Sequence, residues 1–129
     1  MQQTENHKLN LIEPGDPFSP DALNENTQAI DAVLTRFACG AYTGDGKASL
    51  TVELPFTPRV VFVTSGGGHI YRYDGYQWYY GGLATPGRPA KGSSYTLVEI
   101  VENGFTVYNQ TERASSNVSG NTYNYFAVG

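Results

Sequence analysis

Cysteine and histidine are scarce in this chain of 129 residues: Cys39 stands alone, and His7 and His69 are the only imidazoles. A lone cysteine forbids an intrachain disulfide and fits folding in a reducing cytoplasm, so stability has to come from packing or from association between copies. No H-x-x-x-H or C-x-x-C spacing exists to hold zinc, and the two histidines share no motif, so neither a metal site nor a cofactor is expected. Cys39 follows a helical pattern beside Ala38 and Gly40, and the sequence offers it no partner histidine. It reads as a small buried hydrophobe, not as a nucleophile.

Positive charge is equally thin. Eight Lys and Arg stand against twelve Asp and Glu, for a net charge of −4, and no basic cluster occurs. A phosphate backbone would find nothing to attract it, so nucleic acid is not an expected partner. No apolar run approaches the roughly 18 residues needed to span a bilayer, and no apolar stretch follows the polar start Met1–His7. Membrane insertion and a Sec-type signal are therefore not expected, and the sequons at Asn109 and Asn117 carry no weight. Gly44-Asp45-Gly46-Lys47 lacks the rest of a phosphate loop and reads as a turn. Glu53, Glu99 and Glu102 are scattered, and nothing in the sequence pairs them across a cleft, so no catalytic residue is assigned.

Glycine and tyrosine are plentiful, with 15 and 10 copies, amid abundant Val, Thr, Ser and Asn. That composition points to a mainly β protein of short strands and tight turns. Its length fits one domain with an appendage, divided here into residues 1–40 and 41–129. The first 18 residues form a leader whose Pro14, Gly15 and Pro17 forbid a helix. Residues 19 to 38 then read as a helix, with Ser19 as cap, Pro20 at the first helical position, Phe18 stapled on Leu23 and Gly40 as the stop. Leu23, Ile30 and Phe37 recur every seven residues, with Asn26 and Val33 between them. This heptad seam is expected to align copies in a short coiled coil, or else to dock on the chain's own β domain.

From Tyr42 the period becomes two. Leu50, Val52 and Leu54 mark a half-exposed strand, and Val60-Val61-Phe62-Val63 reads as a strand buried on both faces. Asp74-Gly75 turns a hairpin between aromatic flanks, and Glu102-Asn103-Gly104 turns a second between Tyr95–Val101 and Phe105–Tyr108. Tyr123–Gly129 supplies a closing strand, giving about six or seven antiparallel strands in a small sandwich. Gly81 to Ser94 reads as the longest loop. The aromatic cluster Tyr71, Tyr73, Tyr76, Trp78, Tyr79 and Tyr80 is the candidate ligand-binding surface, because rigid rings with polar tips suit sugars and proteins alike. Burial of the same rings between subunits is the competing reading.

Two stretches carry a resemblance. Glu13-Pro14-Gly15-Asp16-Pro17-Phe18, with Leu23-Asn24-Glu25-Asn26-Thr27 and Ile30-Asp31-Ala32, resembles the N-terminal segment of tail-associated proteins of phages and prophages of Gram-positive bacteria. The later segments Gly40–Gly46, Leu54–Val63, Asn103–Val107 and Tyr125–Gly129 resemble the small domain that closes many such fibres, and share its layout with H-type lectin domains. The resemblance implies a homotrimeric virion protein assembled in the host cytoplasm. Residues 1–38 would attach it to other tail, baseplate or capsid proteins, and the sandwich would be displayed toward a host-surface glycan. It leaves open a non-binding role, as a capsid decoration, head fibre or baseplate component. Residues 66 to 94, which hold the aromatic cluster, lie outside it, so no sugar-binding residue is carried over.

Overall fold

The computed structural model describes residues 2–5, 8–16, 20–34 and 36–129. The chain divides into two compact units, residues 1–35 and 36–129. In the first, the leader folds back on itself: Leu11 N–H donates to Gln2 O at 2.7 Å and Thr4 N–H to Leu9 O at 2.7 Å. The helix α1 (Pro20–Leu34) follows, with Asp21 in its first turn, where a carboxylate favours the positive end of the helix dipole. Asn26, placed by the heptad on the seam, is engaged with the leader. Its side-chain amide accepts from the Asn10 backbone N–H and donates to the Asn10 carbonyl, completing a strand-like pair from one side chain. Asn10 Nδ2 in turn donates to Ala22 O and Glu25 Oε2. Leu23 and Ile30 remain exposed. The Ser19 cap and the Phe18 staple lie outside the described residues, as does the side chain of Val33.

The expected helix end is corrected. Helix α1 stops at Leu34, and Phe37 opens strand β1 (Phe37–Thr43). Phe37 shares the seven-residue spacing of Leu23 and Ile30 by coincidence of period, because the pairing available to it, Phe37 to Val128, draws it into a sheet. The division expected after Gly40 therefore falls inside a strand. Cys39 is corrected as well: it is exposed on β1, not buried.

The second unit is mainly β. The remaining strands are β2 (Ser49–Glu53), β3 (Val60–Ser65), β4 (Tyr71–Tyr73), β5 (Gln77–Tyr79), β6 (Gly82–Ala84), β7 (Ala90–Gly92), β8 (Tyr95–Val101), β9 (Gly104–Thr111), β10 (Ala114–Ser115) and β11 (Thr122–Val128). They form a four-stranded sheet in the order β1-β11-β3-β6, and a seven-stranded one in the order β4-β5-β10-β9-β8-β7 with β2 added on β9. All pairs are antiparallel except the short β10–β5 bridge. More strands appear than the sequence pattern announced, because Gly81 to Ser94, read as a loop, contains β6 and β7 around a turn closed by Thr85 and Arg88. Each is three residues long, too short to show a period.

The core lies between the two sheets. Val61 and Val63 of β3, Ala84 of β6 and Tyr123 and Ala127 of β11 pack with Leu97 and Val98 of β8, Phe105 and Val107 of β9 and Ala114 of β10. Tyr42 stacks on Tyr123 with ring centroids 5.2 Å apart and donates its hydroxyl to Ser116 O at 2.7 Å. Burial pushes both phenols up from their ordinary values. Strand β3 is not buried on both faces as its apolar run implied: Val61 and Val63 point inward, while Phe62 between them is exposed.

One polar knot holds the inner end of this core. Asn117 is fully buried, and its side chain donates to Asp45 Oδ1 at 2.7 Å and Lys47 O at 3.0 Å while accepting from Asp45 N–H at 3.0 Å. The Gly44–Lys47 turn is thus fixed by an amide that leaves no buried polar atom unpaired. The Lys47 N–H, which donates to Asp45 Oδ1 at 2.9 Å, and then the Asn117 amide hold the Asp45 carboxyl below the usual carboxylate range.

Candidate functional site

Tyrosines at alternate positions of two short strands land on one face of a hairpin, which is how β4 and β5 collect their rings. The register pairs Tyr71 with Tyr79, Arg72 with Trp78 and Tyr73 with Gln77. Side chains alternate across a strand, so Tyr71, Tyr73, Gln77 and Tyr79 share one face while Arg72 and Trp78 share the other. The turn Asp74-Gly75-Tyr76 joins them, with Gly75 at φ 102°, a region in which a residue bearing a Cβ is strained.

Asp74 organises this turn. It accepts the Trp78 indole N–H at 2.9 Å and the Tyr76 backbone N–H on Oδ1, and pairs with Arg72 at 3.0 Å through Oδ2. Those bonds, the indole's above all, hold its carboxyl below the usual range. The Arg72 guanidinium lies 5.2 Å from the Trp78 ring centroid. Tyr71 leans on Tyr79 with centroids 5.3 Å apart, and the Tyr79 hydroxyl donates to Gln77 Oε1 at 3.1 Å. The rings are held by neighbours on the same hairpin.

Beside the tyrosine face opens a cleft of about 630 Å3. One wall is the hairpin, with Tyr73, Tyr76, Gln77 and Tyr79; a second is Ser93 and Tyr95, where β7 turns into β8; a third is Thr111-Glu112-Arg113-Ala114, where β9 turns into β10. Gly92 permits this closure, because a methyl there would overlap the Tyr79 ring. The Arg113 guanidinium sits 4.1 Å from the Tyr76 ring centroid, a cation–π distance. Among the described residues the only ion pair is Arg72 with Asp74, so Arg113 enters the cleft without a carboxylate in salt-bridge contact.

The six aromatic residues singled out from the sequence are thus divided. Tyr73, Tyr76 and Tyr79 line the cleft, Tyr71 backs Tyr79 from outside, and Trp78 lies on the reverse face against Arg72. Tyr80 turns away to a smaller cavity of about 310 Å3 with Ser65, Asn121 and Tyr123, and its carbonyl accepts the Ser116 hydroxyl at 2.7 Å. Pattern reading missed Gln77, Tyr95, Glu112 and Arg113 as lining residues. The polar pair Glu112-Arg113, between the strand run ending at Thr111 and Ala114-Ser115, is the signal of the turn that delivers Arg113.

Stacking faces, phenol hydroxyls, an amide and a guanidinium suit a polyhydroxylated ligand, whose C–H faces lie on rings while its hydroxyls meet the polar tips. Among the described residues no three His, Cys, Asp or Glu side chains converge as metal ligands, and no helix is long and apolar enough to cross a membrane. No family model, curated protein or solved structure matches the chain.

Proposed function

We propose that the chain is a virion protein of a phage or prophage, a trimeric fibre-type receptor-binding module whose tyrosine cleft takes a host-surface glycan. The observation that carries the binding half is the cleft itself: Tyr73, Tyr76, Tyr79 and Tyr95 around Arg113, on three turns and the strand ends beside them, held by a packed sandwich. Binding residues on loops over a rigid scaffold are the common arrangement for recognition surfaces. The virion assignment rests on the phage-like leader and helix sequence, and the H-type-lectin-like layout on the resemblance of the β segments. Three cleft copies engaged together would gain avidity without a new contact.

Adsorption of the purified protein to host cells, and to their extracted wall polysaccharide, tests this. Losing one stacking ring costs about 1 kcal/mol, or about fivefold in affinity. Tyr76→Ala and Tyr73→Ala should each weaken binding by about that factor, and Arg113→Ala should do the same. Trp78→Ala is expected to act less, through the hairpin it braces from behind. Unchanged adsorption by the Tyr73→Ala/Tyr76→Ala double variant would sink the glycan site.

A structural component without receptor affinity, such as a capsid decoration, head fibre or baseplate protein, is the second reading. Its support is the exposed Leu11, Ile12, Leu23 and Ile30 of the first unit, an attachment surface that this role uses and that asks nothing of the cleft. Binding to virion parts in the absence of any adsorption to cells would decide for it.

A further inference from the structure

The outward face of the four-stranded sheet is apolar along an entire row. Cys39 of β1 is registered with Phe126 of β11, Phe126 with Phe62 of β3, and Phe62 with Leu83 of β6. All four are exposed, Phe126 by 45%, Phe62 by 38% and Leu83 by 58%. The next outward row adds Phe37, exposed by 56%, with Val128 and Val60. The row on the other side holds Ala41 and Asn124, both exposed, and Thr64, which is buried. No charged side chain stands on any of the three.

Strands about 4.8 Å apart and same-face residues about 6.6 Å apart give the eight apolar positions of these rows on the order of 250 Å2. A scattered exposed ring needs no explanation, but three phenylalanines and a leucine side by side on one face mark a contact surface. Their area is about a third of the roughly 800 Å2 that each partner contributes to a stable interface, an apolar centre inside a polar rim. Edge strand β1 points the same way. Natural edges are blunted by charge, proline or a bulge, and Phe37–Thr43 has none of these.

We propose that this face is where copies of the chain meet, Phe62, Leu83 and Phe126 of each copy gathering at the threefold axis of the trimer against the same side chains of the other two. A face without charge asks for no complementary charge on its mate, so an identical face satisfies it, whereas a basic or acidic partner would gain nothing there. The proposal deepens the oligomeric part of the function above by assigning its contact. It shares no residue with the tyrosine cleft, so assembly and ligand binding are separable.

Cys39, at the β1 end of the row beside Phe126 and the only cysteine of the chain, reports on the contact without any substitution. Light scattering of the full chain gives its mass, and a maleimide gives the thiol's rate against the same protein in denaturant. The native protein should be oligomeric, insensitive to salt, and protected at Cys39 by at least tenfold, with protection falling on dilution. Leu83→Glu and Phe62→Glu should yield smaller species with a freely reacting thiol and unchanged cleft affinity per chain. A native oligomer whose thiol reacts freely, or glutamate variants that keep the native mass, would overturn the contact while leaving trimerisation through the helix standing. A native monomer would overturn both and leave the cleft untouched. Should the glutamate variants not fold, protection of Cys39 in the unaltered chain decides alone.

Discussion

Trp78 donates its indole N–H to Asp74 Oδ1 at 2.9 Å, tying the inner strand of the aromatic hairpin, β5, to its own turn. The bond depends on an ionised acceptor. Asp74 titrates below its ordinary value in the folded chain, so its contribution is complete above the unfolded carboxyl value, near 4, and is lost as pH falls through the depressed one. Trp78 is the only tryptophan, so its emission reads the turn directly. Emission should stay constant from neutral pH down to about 4 and shift to the red below it. Asp74→Ala should show the red-shifted signal at every pH, with the far-ultraviolet β signature retained.

Asn117→Ala should be among the most damaging single changes in the chain. It removes a fully buried side chain and its three hydrogen bonds to the Asp45–Lys47 turn, at a cost of about 1 to 3 kcal/mol. Thermal unfolding checks this. Asn117→Asp would face one carboxylate with another at the 2.7 Å contact to Asp45, so its loss should be larger at pH 7 than at pH 4. A variant with equal losses at the two pH values would show that the contact does not carry the knot.

Gly92→Ala tests the cleft's rear wall. Its methyl would overlap the Tyr79 ring, and overpacking of this kind costs about 1 to 3 kcal/mol. The ring has to swing toward the cleft, so ligand affinity should fall together with stability. Gly75, where a Cβ meets nothing but φ is positive, should show a backbone penalty of about 1 kcal/mol on Gly75→Ala, with Tyr79 unmoved. Calorimetry and binding on the two variants separate the effects.

Deleting Tyr125–Gly129 should give insoluble protein. Strand β11 is paired with β1 on one side and β3 on the other, so it is the centre of its sheet, and Ala127 belongs to the core. Soluble protein of native mass from this truncation would contradict the pairing.

The mainly β character and the long strands were legible because their alternation survives in the sequence. Leu50 and Val52 of β2 alternate, the Asn103 turn joins β8 to β9 with a positive φ of 55°, and Asp74-Gly75 turns where expected. Phe37 was misplaced because three apolar residues at a spacing of seven cannot distinguish a helix that continues from one that ends three residues earlier. Val60–Val63 was read as buried on both faces because a sequence records that a residue is apolar, not whether the chain covers it; Phe62 is apolar and uncovered. The cleft was half visible. Tyr73, Tyr76 and Tyr79 announced themselves by local density, whereas Tyr95 and Arg113 arrive from strands 16 or more residues away in sequence, a proximity fixed by the β10 pairing with β5 and β9 and not by any local pattern.

The three walls of the cleft meet tight turns at residues 74–76, 93–94 and 112–113, each closed by its own strands. Tyr76, Ser93, Glu112 and Arg113 therefore lie where substitution costs the sandwich little, while Tyr73, Gln77, Tyr79 and Tyr95 belong to its strands. Under the proposed glycan reading, such a site can drift at its turns among related surface polymers while the two sheets beneath it stay as they are.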